Sequence, residues 1–167
     1  MSLSMHSASV PIFTRLLSNM LAWLDKAQAH ADARKFDSAN YLGLRLAPDM
    51  LPLTRQIQIA TDAAKGCAAR LAGVEIPKYE DNEASLDDLR GRIRRTIEFV
   101  QSVPAAQIDG SEGREIVIPR PNGEAFKFDG ETYLKHFALA NFHFHASMAY
   151  ALLRNAGVEL GKRDFLG

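Results

Sequence analysis

Apolar residues recur along most of this chain at spacings of three and four, the mark of helices, and alternate in one late stretch. Phe13, Leu16, Leu17, Met20, Leu24, Ala27 and Ala31 predict a first helix of roughly seven turns. Ser9 is its expected N-cap, and Pro11 falls in a first turn that needs few donors. Residues 35–50 break the pattern with Gly43 and Pro48, yet Leu42, Leu44 and Leu46 are too apolar for a free linker. They predict a packed connection with a short helix after Asp37. A second helix from about Met50 to Ala72, capped by Asp49 and closed by Gly73, carries the stripe Leu53, Ile57, Ala60, Ala64, Ala68 and Leu71. Its middle is built from small side chains, with Gly66 beside it. Such residues bring helices close or leave room for a ligand, and close packing is the commoner use.

After a polar loop over residues 74–84, Ser85 and Asp88 form a capping-box-like start for a third helix. Leu86, Leu89, Ile93, Ile97 and Val100 are its buried stripe, and it stops near Ser102, ahead of Pro104. Arg90, Arg92, Arg94 and Arg95 share its turns with Asp87, Asp88 and Glu98, a mixture that reads as a solvated face. The β-prone runs EIVIP and AFKF flank Asn122-Gly123, a strong turn signal, and predict a hairpin over about residues 114–128. An isolated hairpin is marginal, so Ile116, Ile118, Phe126 and Phe128 are expected to pack it on the helices as a lid or edge covering. Asp129 then caps a last long helix that closes at Gly157 and Val158 in a Schellman ending, and Phe165 and Leu166 fold the tail back.

The last helix divides by face. At about 100° per residue, Leu134, Phe137, Ala138, Asn141, His145, Met148, Ala149 and Leu152 share one side. His136 and His143 project away from it, with Leu139. His143 and His145 form an HxH whose rings lie about 200° apart on a helix, so they cannot share one ion. His145 differs, because an imidazole on a buried stripe must find a hydrogen-bond partner or a metal. A core histidine satisfied by a neighbouring helix is the ordinary explanation. A ligand or metal role is the alternative, with Asn141 one turn earlier and Gln56 on the second helix as companions. Amides are poor ligands for zinc-like ions. Tyr150 and Arg154, four apart outside the stripe, suit an anion, or order the tail through Asp164. Cys67 has no histidine partner in view and reads as a small core residue.

Twenty basic and twenty acidic side chains among 167 residues leave no net field to steer the chain to nucleic acid or an anionic membrane. The length suits a single domain over residues 1–167. One cysteine excludes an internal disulfide and a multi-cysteine zinc site. The first residues lack the basic and apolar regions of an export signal, and no window reaches the length of a membrane span, so a cytoplasmic protein is expected. Phosphate loops, nucleophile elbows, HExxH and dinucleotide fingerprints do not occur.

RLAPDMLPLTRQIQIATDAAK at residues 45–65, NFHFHASMAYALLRNAGVELGKRDFLG at residues 141–167, and KAQAHA at residues 26–31 resemble a family of small bacterial and fungal proteins. It is a domain-of-unknown-function branch of the DinB/YfiT-like helical bundles. The resemblance implies a mainly α, DinB-like four-helix bundle with a long connection between its first two helices, here with the β-hairpin between helices three and four, and often a homodimer. The wider superfamily commonly holds a divalent metal, zinc or nickel, on three histidines, one on helix two and two spaced four apart on the last helix. Carried onto this chain, the last pair falls at Asn141 and His145 and the helix-two position near Gln56 or Gln58, so His145 alone keeps a histidine. Two readings follow from residues and resemblance together. One is a bundle with a polar pocket around Gln56, Asn141 and His145, a degenerate metal site or a small-ligand site. The other is a non-catalytic homodimeric interaction module, with His136, His143 and the hairpin as contact surface.

Overall fold

The structure is a computed structural model describing residues 3–120 and 122–167. Its frame is four long helices: α1 (Val10–Arg34), α2 (Leu53–Ala72), α3 (Leu86–Ser102), and a final continuous helix from Gly130 to Asn155. A short helix α4 (Ala105–Ile108) and a hairpin of β1 (Ile116–Pro119) and β2 (Ala125–Phe128) separate α3 from the last helix, and α7 (Lys162–Leu166) ends the chain. The last helix has three parts: α5 (Gly130–Thr132), a π-helical turn (Tyr133–Ala138) and α6 (Leu139–Asn155). The fold is the expected helical bundle with an inserted antiparallel hairpin.

Packing follows the apolar stripes. α2 lies against α6 and α3, and α1 against α3, α6 and α7. α1 and α2 barely touch, so the connection over residues 35–52 crosses from one corner of the bundle to the opposite one. The connection is packed: Asp37 accepts from the amide of Ala39 (2.8 Å), the Leu53 amide donates to the Leu44 carbonyl (2.9 Å), and Tyr41 is buried beside Phe36 and His30.

Helix ends follow capping chemistry at most positions. The Ser85 hydroxyl accepts from the Asp88 amide (3.0 Å) while Asp88 accepts from Ala84 (3.0 Å), and Asp129 accepts from Thr132 (2.8 Å). Gly73 (φ 72°) and Gly157 (φ 92°) take the left-handed conformation that ends their helices. Two caps differ from expectation. Ser9 is buried, and its hydroxyl donates to the Met5 carbonyl (2.6 Å) of a preceding turn instead of capping α1. α2 starts at Leu53 with Pro52 at its N-cap, because the Leu53 and Thr54 amides are taken by Leu44 and Leu42, which leaves Asp49 outside the helix.

The arginines of α3 require a larger correction. Arg94 and Arg95 are exposed as expected, but Arg90 is buried and Arg92 has 0% exposure. The guanidinium of Arg92 donates to Thr61 Oγ1 (2.7 Å), Asp62 Oδ1 (2.8 Å) and Glu83 Oε1 (3.0 Å), and it pairs with Asp81 (3.0 Å). The loop over residues 74–84 folds its carboxylates back over α2 and α3, so Arg92 faces an acidic cover in place of water. Arg90 is held by Asp25 (2.8 Å), Asp87 (2.6 Å) and the Leu24 carbonyl (2.9 Å).

The hairpin pairs Ile116 with Phe128 and Ile118 with Phe126, so these four side chains share a face. That face lies on the π-helical turn: Phe128 and Phe126 approach Phe137 with ring centroids 5.3 and 5.8 Å apart, and Ile116 is buried. The chain end is likewise tied down. Phe165 stacks on Trp23 (5.5 Å), whose indole N–H donates to the Asp164 carbonyl (2.8 Å), and Arg15 donates to the Gly167 carbonyl (2.7 Å).

Candidate functional site

The π-helical turn sets which face of the last helix meets α2. Its i→i+5 hydrogen bonds widen one turn and shift the phase of everything around it. The buried residues are therefore Tyr133, Leu134, Ala138, Phe142, His145, Ala146, Ala149, Leu152 and Leu153, while Phe137, Asn141 and Met148, expected on the core stripe, are half-buried. A uniform 100° step carried through the wide turn misplaces the stripe by about one residue.

α2 and α6 run antiparallel, and two polar clusters lie along their seam. At one end, His145 is 9% exposed and its Nδ1–H donates to Gln56 Oε1 (2.7 Å), while the Gln56 amide nitrogen donates to the Leu51 carbonyl (3.0 Å). Both ends of the Gln56 amide are thus used, and the imidazole keeps its proton on Nδ1. Burial lowers the His145 pKa, so the ring is neutral with its lone pair on Nε2.

Further along the seam, beneath the hairpin, a cleft of about 170 Å³ is lined by Ile59, Asp62, Ala63, Arg70, Ile118, Tyr133, Phe137, Ala138 and Asn141. Small Ala63 opens it, whereas Ala60, Ala64 and Ala68 are close-packed in the core. Arg70 donates to the Tyr133 hydroxyl (3.1 Å). Its guanidinium folds back over Gly66, where an added Cβ would meet Nη1 at 2.5 Å, so a bare α-carbon is what lets the arginine lie there. Burial pushes the Tyr133 phenol up to about 12, with Cys67 adding to the rise and Arg70 opposing it. Tyr133 therefore remains a neutral hydrogen-bonding group. Cys67 is fully buried behind it, and burial raises its thiol pKa so far that it is no nucleophile.

The expected site residues separate accordingly. Gln56 and His145 meet directly. Asn141 faces the neighbouring cleft, and its side chain has no protein hydrogen-bond partner among the described residues. Tyr150 packs edge-on against Trp23 (5.5 Å) and Phe165 (5.6 Å), which orders the tail, while Arg154 is exposed and Asp164 pairs with Lys26 (2.7 Å) instead. His136 is exposed, and His143 is half-buried with its Nδ1–H on the Leu139 carbonyl (2.8 Å). Arg70 and Tyr133 are cleft residues that the sequence reading did not single out. Gly66 and Arg70, four apart on α2, were the available signal, since glycine at i leaves the helix surface open to a long side chain at i+4.

The donor set does not fit a tightly bound divalent metal. Among the described residues no group of three His, Cys, Asp or Glu side chains is placed to hold an ion. His145 Nε2 is a lone imidazole donor at the seam, the Cys67 thiol being buried and kept protonated, and the amides beside His145 are weak ligands. Among the same residues, no helix is long and apolar enough to cross a membrane.

Comparison with known proteins gives the lineage. The crystal structure at 1.83 Å of a DinB family member protein from Shewanella denitrificans superposes with a TM-score of 0.89 at 36% sequence identity, covering 97% of this chain and 91% of that one. No curated protein matches the sequence. Residues 5–166 match a domain of unknown function, DUF1993. The chain is thus a member of the DUF1993 family, within the DinB-like fold.

Proposed function

We propose that this protein binds a small molecule in the α2–α6 cleft beneath the hairpin. The supporting observation is the convergence of Arg70, Tyr133, Asn141 and Asp62 on an otherwise apolar cleft at a π-helical turn, a backbone feature frequent at functional sites. The hairpin covers the cleft through Ile118 and Phe128, and the His145–Gln56 pair fixes the helix seam beside it. In this reading His145 is a positioning residue and no divalent metal is needed. The single cysteine, buried in α2, suits a reducing cytoplasm. The test is NMR titration of ¹⁵N-labelled protein with benzyl alcohol as a small neutral probe, alongside elemental analysis of the purified chain. Shifts confined to the amides of Ala63, Ile118, Phe137 and Asn141, without stoichiometric zinc or nickel, are expected. Absence of any such shift with benzyl alcohol and with its anionic counterpart benzoate alike, or a stoichiometric metal lost in His145→Ala, would overturn the reading.

A second reading, a homodimer joined through the hairpin, is favoured by Val117, 44% exposed on the hairpin face opposite the one packed on the helices, with His136 also exposed on the last helix. Light scattering at micromolar concentration tests it. A dimer that Val117→Glu converts to monomer supports this surface, and a monomer unaffected by the change removes it.

A further inference from the structure

Resting on the cleft as a ligand site, we infer that its ligand is a small aromatic carboxylate whose anionic group is received by Arg70. The argument starts from how this chain treats its other sheltered arginines. Arg90 and Arg92 are each tied to two or more carboxylates, and Arg55 to Asp81 (2.5 Å). Arg70, half-buried in the cleft wall, has no carboxylate within ion-pair distance among the described residues and makes one side-chain hydrogen bond, to Tyr133. A guanidinium carries five donors in a planar fork that matches a carboxylate two by two. Holding such a group in a partly desolvated cleft with one neutral partner is costly unless an anion completes it.

Three further features point the same way. Gly66 makes room for the guanidinium to reach the cleft along its own helix, so its placement follows from the local sequence. Asp62, the acidic residue in the lining, is neutralised by Arg92 (2.8 Å) and Lys65 (2.9 Å), which leaves the cleft's unbalanced charge positive. Asn141, in the same lining as Arg70, offers an amide N–H₂ without a protein partner among the described residues. The remaining walls decide the body of the ligand. Tyr133 and Phe137 stack at 24° with ring centroids 5.9 Å apart, Phe128 approaches Phe137 at 5.3 Å, and Ile59, Ala63 and Ile118 add apolar lining to the open cleft. A flat apolar body fits between these rings and the small face of α2.

Titration of the full chain with benzoate, with benzyl alcohol as its neutral isostere, and with inorganic phosphate separates charge from shape. Benzoate is expected to bind about tenfold more tightly than benzyl alcohol, the worth of one charge-assisted hydrogen-bonded pair. Arg70→Gln should erase that preference, Arg70→Lys keep part of it, and Gly66→Ala weaken benzoate binding by displacing the guanidinium while thermal unfolding confirms a folded bundle. Equal binding of the two aromatic probes, unchanged in Arg70→Gln, overturns the anion assignment and leaves the cleft itself standing. Phosphate binding as tightly as benzoate overturns the aromatic part. Failure of all three probes to move the cleft amides overturns both the assignment and the site on which it rests.

Discussion

At the scale of single residues, the instructive pair is His145 and Gln56. Each satisfies a polar group that the other element would otherwise bury alone, and an unsatisfied buried donor costs more than a hydrogen bond contributes. Gln56→Leu should therefore destabilise the fold by about 1–3 kcal/mol. Adding His145→Leu should recover part of that loss, because both partners are then apolar. A double-mutant cycle by urea unfolding measures the coupling, and strict additivity would show that the pair does not interact. The pH dependence has a definite sign. Burial holds the folded His145 pKa below the ordinary value, so the unfolded chain takes up its proton first as pH falls. The stability contributed by the neutral ring is present above about pH 6.5 and is lost as pH falls through that value toward the folded pKa. Stability measured between about pH 7.5 and 5.5 should decline in the parent chain and decline less in His145→Gln.

At the scale of elements, most caps and stripes were legible because each rests on residues a few positions apart, and the Ser9 and Asp49 caps failed where backbone carbonyls outside the helix took the hydroxyl or the amides. Ser85, Asp129, Gly73 and Gly157 do what their side chains or their lack of one allow, and Asn122-Gly123 marks the hairpin. The π-helical turn was not legible, since nothing in Tyr133–Ala138 forbids an ordinary helix and the wider turn occurs where Tyr133 and Phe137 meet α2 and the hairpin. The expected pocket of Gln56, Asn141 and His145 divided on that line. Gln56 reached His145 from the second helix as expected, whereas Asn141, one turn earlier on the last helix, lies in the lining with Arg70 and Tyr133 because the wide turn shifts the helix phase. Deleting Lys135, an exposed residue within the turn, should restore α-helical winding and leave Tyr133 beside Arg70, because the roughly 100° of rotation that the wide turn withholds is that of the one residue removed. The guanidinium resonances of Arg70, identified by their absence from Arg70→Gln, should then stay near their parent positions, unlike in Tyr133→Phe. Resonances that move as far as in Tyr133→Phe would show that the turn does more than take up one extra residue.

At the scale of the whole molecule, Arg92 joins what the connectivity leaves separate. Its side chain ties α3 to Thr61 and Asp62 on α2, and to Asp81 and Glu83 on the loop between those helices. Gln58 holds Glu83 (2.6 Å), and the Tyr79 ring covers Lys65 (4.5 Å) and Arg92 (5.3 Å). The sequence presented this arginine as one of four on a mixed-charge helix, because the carboxylates that enclose it arrive from nine or more positions away through the fold of a loop. Burial alone would raise the Asp81 pKa, and its hydrogen bonds and charge interactions with Arg55 and Arg92 more than reverse that, so the carboxylate is held below its usual range. Its contribution is present above the ordinary carboxylate pKa of about 3.9 and is lost as pH falls through the folded value. Arg92→Met leaves Glu83 buried without its cation, and breaking a buried ion pair from one side costs about 3–5 kcal/mol. Arg92→Lys should fall between, since an ammonium restores charge but cannot reach Thr61, Asp62 and Glu83 together. Urea midpoints read the stability, and limited chymotrypsin digestion at Tyr79 reads the loop. Arg92→Met should be cut there faster than the parent under native conditions, and equal cleavage would mean that the loop is held by something other than this arginine.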